Sequence, residues 1–216
     1  MSRHDFPVRG SEDIYRGRVM ALRADQVEMP GGRVAVREIV EHPGAVAVAA
    51  LDDQGRLAVV EQYRQAVRRR LVELPAGLLD VEGEDPLEAA ARELTEEAGL
   101  VAQEWSVLLD LVPSPGFTDE SVRVYLAQGL RDVGRPESGD DEESEMVVSW
   151  LSVDDAVRDA MTGRLVNAVT VAAVFAVQAV RTGVVSARPV TATWVDRPRA
   201  FASGGFASNG GEPTPR

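Results

Sequence analysis

The sequence predicts a mixed α/β (α+β) domain, a sheet with a helix packed on each side. Three observations carry this. Short strand-like stretches come first, a strongly patterned helix interrupts them, and two helices follow a second set of strands. The chain has 216 residues, of which 44% are apolar. At roughly 100–200 residues per domain this suits one domain with extras and a sizeable core.

The first forty residues alternate in short pieces: Gly17–Arg23, Gln26–Met29, the turn Pro30-Gly31-Gly32, and Arg33–Arg37. They read as strands joined by hairpin turns. Ala45–Leu51 and Leu57–Gln62 are two more strands, joined by the turn-rich Asp52–Arg56. Asp85 to Ala98 is the clearest helix. Asp85 suits its N-cap and Pro86 its first position, with Glu88 placed as in a capping box. Leu87, Ala91, Leu94 and Ala98 form an apolar stripe, and Gly99 supplies the stop. Val107–Val112, Val122–Ala127 and Met146–Leu151 read as strands, the last preceded by a charged loop from Gly139. Ser152-Val-Asp-Asp opens a helix ending near Gly163, and Asn167–Thr182 is an apolar helix. The tail Ser203–Arg216 is rich in Gly, Pro and Ser and is expected to be disordered.

Composition excludes several functions. With no cysteine there is no disulfide scaffold, thiol nucleophile, cysteine zinc site or iron–sulfur cluster. His4 and His42 are too few for a histidine-rich metal site. A net charge of −12 argues against a broad nucleic-acid surface. The most apolar run, Leu165–Val180, is shorter than the ~20 residues of a membrane span. The N-terminus has no apolar targeting segment. These features predict a soluble, cytoplasmic protein without a membrane partner.

Chemistry concentrates between Asp80 and Glu97, where Asp80, Glu82, Glu84, Asp85, Glu88, Glu93, Glu96 and Glu97 face only Arg92 as a counter-charge. Glu93, Glu96 and Glu97 share one helix face at spacings of three and four, opposite the Leu87/Ala91/Leu94/Ala98 stripe. Like charges there repel, and they stand toward the C-terminal half, where the macrodipole disfavours them. A hard divalent cation reverses that sign, because it takes carboxylates, waters and substrate phosphates as oxygen ligands. A solvated acidic face without metal is the alternative reading of the same charges.

The order of these residues resembles the Nudix box, G-x5-E-x7-R-E-U-x-E-E-x-G-U, with U aliphatic. Here Glu84, Arg92, Glu93, Leu94, Glu96, Glu97, Gly99 and Leu100 match in type and spacing, with one extra residue between Gly77 and Glu84. The resemblance implies a Nudix fold over roughly residues 40–185 and hydrolysis of a nucleoside diphosphate linked to another group. It also implies Mg²⁺ or Mn²⁺ held by Glu93 and Glu97 with Glu96, and Arg92 as an orienting partner of the glutamates.

Five flanking stretches are similar to the ADP-ribose pyrophosphatase branch of that family, and to its actinobacterial-looking members: Tyr15–Gly17, Val36–Val40, Val60–Arg64, Leu74–Gly77 and Ser114–Glu120. This likeness implies an Mg²⁺-dependent homodimer that splits ADP-ribose into AMP and ribose 5-phosphate. Residues 1–40 would be a β-strand dimerisation segment exchanged between subunits, residues 41–185 the hydrolase domain, and residues 186–216 a C-terminal extension, disordered from about 203. The adenosine would sit between elements of both subunits. By position, Arg37 and Arg64 would contact substrate, and the Ala76 carbonyl a metal. Glu120 is a further substrate-site candidate, and Arg18 stands where other members place an aromatic; a guanidinium plane can stack on adenine. Exposed strand charges are the plain alternative for Arg18 and Arg37, whereas Arg68–Arg70 read as a solvated loop. The general base would be Glu142, with Glu143 and Glu145 as neighbours in the same acidic loop, able to act once that loop closes. Rival readings are a Nudix enzyme for a nucleotide sugar, a dinucleoside polyphosphate or an oxidised nucleotide, a non-catalytic nucleotide sensor, and an acidic interaction module without metal.

Overall fold

The computed structural model describes residues 4–136, 145–198 and 201. Glu142 and Glu143, most of the charged loop, and the tail expected to be disordered lie outside the described residues. The chain opens with an antiparallel three-stranded sheet, β1 (Val8–Arg16), β2 (Ala21–Glu28) and β3 (Val34–Glu41). It continues through β4 (Ala45–Ala50), β5 (Arg56–Arg64), β6 (Arg69–Glu73) and β7 (Ala76–Leu78) to helix α1 (Pro86–Ala98). Then come β8 (Leu100–Val101), β9 (Glu104–Leu111), β10 (Val122–Gln128), β11 (Arg131–Asp132), β12 (Val147–Ser152), and helices α2 (Val153–Met161) and α3 (Ala168–Arg181).

The central sheet runs β7-β4-β10-β9, with β4 and β10 parallel and the outer pairs antiparallel. A second sheet, β12-β5-β6, is antiparallel throughout. Side chains alternate across a strand, so a strand apolar at every position is buried on both faces. β4 is such a strand. Its Val46, Val48 and Ala50 pack with Ala89, Ala90 and Leu94 of α1. Its Ala47 and Ala49 pack with Val153 and Ala156 of α2 and Ala173, Val174 and Val177 of α3. Tyr125 and Ala127 of β10 face the α1 side, and Val122, Val124 and Leu126 the other. The expected mixed sheet between helices is what forms.

β7, β8 and β11 lie in no stretch that the sequence reads as a strand, and local structure departs from the sequence reading in four further places. β1 begins at Val8, well before the first expected strand, because VRGSEDIYR is almost wholly exposed and shows no apolar alternation. The two pieces Gly17–Arg23 and Gln26–Met29 are one strand, β2, with Gly17 in the preceding turn. Arg69 and Arg70, expected in a solvated loop, belong to β6 and pair with Arg64 and Tyr63 of β5. On α1 the buried side consists of Pro86, Ala89, Ala90, Leu94 and Glu97 rather than the Leu87/Ala91/Leu94/Ala98 stripe. Glu97 therefore faces the protein with Leu94, not away from it. The ends of α1 are as the sequence predicts: the Asp85 carboxylate accepts from the Leu87 N–H at 2.8 Å, and Gly99 is left-handed at φ 68°.

Residues 186–198 also pack on the core. Arg188 exchanges backbone hydrogen bonds with Val107, at 2.8 and 2.9 Å. The Trp194 indole N–H donates to the Ser121 hydroxyl at 2.9 Å, its ring lying over the Arg123 guanidinium. Arg123 in turn grips the Asp110 carboxylate at 2.7 and 3.0 Å.

Leu94 is fully buried at the heart of the α1 contact. Leu94→Ala is expected to lower unfolding free energy by about 2–5 kcal/mol in urea titrations; a loss below about 1 kcal/mol would mean that α1 is not held by this contact.

Candidate active site

The site is built where β7 passes under the second half of α1. Asp85 and Pro86 start the helix, and its spacing then brings Arg92, Glu93, Glu96 and Glu97 round toward β7 and the loop before the helix. Arg92 sits among the acids. Its Nε and Nη2 bind the two Glu84 oxygens at 2.9 and 3.1 Å, and its Nη1 donates to Glu93 at 2.7 Å and Glu96 at 2.9 Å. The paired bonds to Glu84 are the strong fork-like geometry of guanidinium and carboxylate. Hydrogen bonding to Glu84 foremost, then charge and bonds from Glu93 and Glu96, raise the Arg92 proton affinity against the opposing effect of burial. The arginine thus ties the loop to the helix and counters three carboxylates together.

Glu97 is 5% exposed. A buried carboxylate is costly unless it is hydrogen-bonded, and its Oε2 accepts from the Ala76 N–H at 2.9 Å. Glu93 presses against the adjacent Gly77. A Cβ added at Gly77 would overlap the Glu93 carboxyl group, so any larger residue there would displace that side chain. This explains Gly77 even with the extra residue before Glu84: its distance from α1 in space matters, not its count along the loop. Thr170 of α3 fixes the same segment from the other side, its hydroxyl accepting from the Leu74 N–H at 3.1 Å.

Ala76 and Gly77 also line a cavity of about 550 Å³, together with His42, Arg64, Glu73 and Glu120. The carboxylate group of α1 thus lies directly behind one wall of a cavity large enough for a nucleotide derivative. Arg64 is engaged with Glu73, Nη2 to Oε2 at 2.6 Å. Neither Glu73 nor His42 is singled out by the sequence reading. The signal for Glu73 was an acid inside the otherwise apolar run Leu71–Leu74; His42 gave none.

Not every candidate meets this cavity within one chain. Arg37 lies on the exposed face of β3, donating to the Val36 carbonyl at 2.9 Å. Arg18 lies in the β1–β2 turn, although its neighbour Val19 does line the cavity. Glu96 is more exposed than Glu93 or Glu97. Glu145 is exposed, its carboxylate 3.6 Å from Arg70.

The donor set suits a hard divalent cation: Glu93 and Glu97 supply carboxylate oxygens beside the backbone of Ala76 and Gly77. No group of three or more acidic or histidine side chains is arranged as a ready cage among the described residues. Arg92 takes up one oxygen each of Glu93 and Glu96 and both of Glu84.

Comparison with known proteins places the chain in a family. The NUDIX domain model matches residues 40–171, and the nucleoside diphosphate sugar hydrolase N-terminal domain model matches residues 7–40. The chain is 54% identical to an ADP-ribose pyrophosphatase of Mycobacterium tuberculosis, over 94% of this chain and 98% of that one. It is 41% identical to a methanol dehydrogenase activator of Bacillus methanolicus, over 76% and 88% of the two chains. A crystal structure of an ADP compounds hydrolase superposes with a TM-score of 0.72 at 22% identity, covering 85% of this chain and 97% of that one, a likeness of fold. The chain belongs to the Nudix family, whose hydrolases generally use divalent metal ions. No helix among the described residues is long and apolar enough to cross a membrane.

Two predictions follow from the packing and the charges. Gly77→Ala forces its new methyl into the Glu93 carboxyl, and should cost about 1–3 kcal/mol. Glu93→Ala in the same chain should return part of that loss; strict additivity of the two changes would contradict the close approach. Burial holds the His42 ring below its ordinary pKa of 6.5, although Glu120 and Asp119 pull it upward. The native state then binds fewer protons than the unfolded chain, so this contribution to stability is in place above 6.5 and lost as pH falls below it. The drop in Tm from about pH 7.5 to about pH 5.5 should therefore be smaller in His42→Gln than in the parent protein. An equal drop would show that the ring is not held neutral by the fold.

Proposed function

We propose that the protein is a divalent-metal-dependent pyrophosphatase that hydrolyses ADP-ribose to AMP and ribose 5-phosphate. The observation that carries this is the convergence of Glu93 and Glu97 on Ala76–Gly77, at the wall of a cavity that also presents Arg64 and Glu120. The high identity to an ADP-ribose pyrophosphatase across nearly the whole chain supports that substrate.

Mg²⁺, or Mn²⁺ in its place, would be held by Glu93, Glu97 and the Ala76 carbonyl, with Glu96 at the rim. When bound it supplies Lewis acidity toward the diphosphate and lowers the pKa of a coordinated water. This chain's residues do the rest. Arg92 stops the glutamates from repelling one another and fixes which of their oxygens stay open to a cation. Arg64 offers a guanidinium to the phosphates and Glu120 lines the substrate pocket. Glu142 is assigned as general base, with Glu143 and Glu145 as its rivals. In the reaction one water oxygen bonds to phosphorus and one P–O bond of the anhydride breaks, giving two phosphate monoesters.

A homodimer completes the site. The N-terminal sheet leaves Ile14, Tyr15, Val34 and Val36 exposed, Val36 at 60%, apolar side chains that a partner copy would cover. In the dimer this sheet of one copy would bring Arg37 and Arg18 toward the adenosine of the other. We place the protein in the cytoplasm.

Incubation with ADP-ribose and Mg²⁺, followed by chromatography of the products, tests the substrate. AMP and ribose 5-phosphate, abolished by EDTA, is the expected result; turnover of nucleotide sugars or dinucleoside polyphosphates but not ADP-ribose would replace it. Glu97→Gln should cut turnover by orders of magnitude with the fold retained by circular dichroism. Light scattering should give about twice the 23.3 kDa chain mass, and Val36→Glu should shift the protein toward monomer; a monomeric parent protein would remove the two-chain site.

A further inference from the structure

His42 is the first residue of a tightly held connection. The segment His42-Pro43-Gly44 joins β3 of the N-terminal sheet to β4 of the central sheet. The loop that carries Glu120 is stapled to it. Val40 N–H donates to the Phe117 carbonyl at 2.7 Å, Asp119 N–H to the Val40 carbonyl at 3.2 Å, and His42 N–H to the Asp119 carboxylate at 2.9 Å. Gly44, at φ +88°, closes the turn against Pro198 of the C-terminal segment; a Cβ there would lie 3.1 Å from the proline ring. The connection is thus fixed from two sides, by the Phe117–Asp119 loop and by Pro198, and His42 and Glu120 line the same cavity.

The turn also fixes the tautomer. Gly44 N–H donates to His42 Nδ1 at 3.1 Å, so Nδ1 must carry a lone pair and the neutral ring bears its proton on Nε2. No described residue accepts a hydrogen bond from Nε2. His42 therefore carries an uncharged donor on a ring that lines the cavity with Glu120, close enough for the Glu120 charge to act on it. A phosphate oxygen is a poor match for this pair, because it only accepts and would meet the negative charge of Glu120 and Asp119. A sugar hydroxyl matches both halves, since it accepts from Nε2–H and donates to the carboxylate.

We infer that His42 is a substrate-positioning residue that, paired with Glu120, recognises a ribose hydroxyl of the nucleoside diphosphate substrate. The inference rests on the proposed function for the location of the substrate, and on the Gly44 contact for the direction of the donor. It makes His42 a determinant of binding rather than of the chemical step.

The two amide replacements separate this role from a merely structural one. In His42→Asn the amide reaches the place of Nδ1, so it can still accept from Gly44 but presents nothing to the cavity. In His42→Gln the amide N–H₂ reaches the place of Nε2 and restores the donor without the Gly44 bond. With ADP-ribose and Mg²⁺, His42→Asn should raise KM about tenfold with kcat within about twofold, and His42→Gln should recover KM to within about threefold of the parent value. A KM for His42→Asn equal to that of the parent protein would overturn the inference. So would an equal rise in both variants, which would mark a ring needed only for the turn. Failure of the parent protein to hydrolyse ADP-ribose would instead sink the proposed substrate and with it this assignment. Far-ultraviolet circular dichroism and Tm of both variants show whether the turn has survived.

Discussion

One guanidinium and one backbone N–H hold together a group of carboxylates that would otherwise drive helix and loop apart. Arg92 binds Glu84, Glu93 and Glu96 at once, and Ala76 N–H meets the buried Glu97. The last turn of α1 has no basic residue to soften its negative charge, in the half of a helix where the dipole disfavours acids. Such an arrangement lowers stability for its own sake and makes sense only where the charge is used. The rest of the site follows from it. Gly77 is glycine because Glu93 needs its space, and Thr170 of α3 holds the segment that both glutamates press on.

The central sheet makes this possible by being apolar on both faces. α1 can lie against one side of β4 while α2 and α3 cover the other. β7 is then trapped between a rigid strand and the acidic end of α1. Its backbone becomes a fixed reference for the carboxylates and a wall of the cavity in the same three residues. The C-terminal segment adds a clasp across β9 and β10 through Arg188 and Trp194, and its Pro198 lies against the His42–Gly44 turn.

Much of this was legible in the sequence, for physical reasons that differ from element to element. α1 announces itself by Asp85, Pro86 and Gly99, which are local signals that tertiary packing did not override. β4 shows in a continuous apolar run, and β10 and α3 in runs broken only by Arg123, or by Thr170 and Gln178. β1 was not legible because its side chains are exposed on both faces and alternate nothing. β6 was hidden by Arg69 and Arg70, whose strand form depends on pairing with β5. The apolar stripe in the sequence of α1 stands one step out of phase with its buried side, because alanines lie on several faces and the buried Glu97 looks like surface. Spacing grouped the acids of the box, but which of them is buried, and which arginine partners which acid, depends on β7 arriving from elsewhere in the chain. His42 was invisible because its role comes from a turn and a loop far apart in sequence.

The account stands on the claim that these carboxylates are held together to receive a cation. Calorimetric titration of Mn²⁺ into metal-free protein tests this most directly, with the parent protein and the Glu93→Gln and Glu97→Gln variants compared. Saturable binding in the parent protein, weakened at least about tenfold in each variant, is the predicted result. Absence of binding, or binding indifferent to both substitutions, would contradict the account and leave Arg92 as the sole reason the acids lie together.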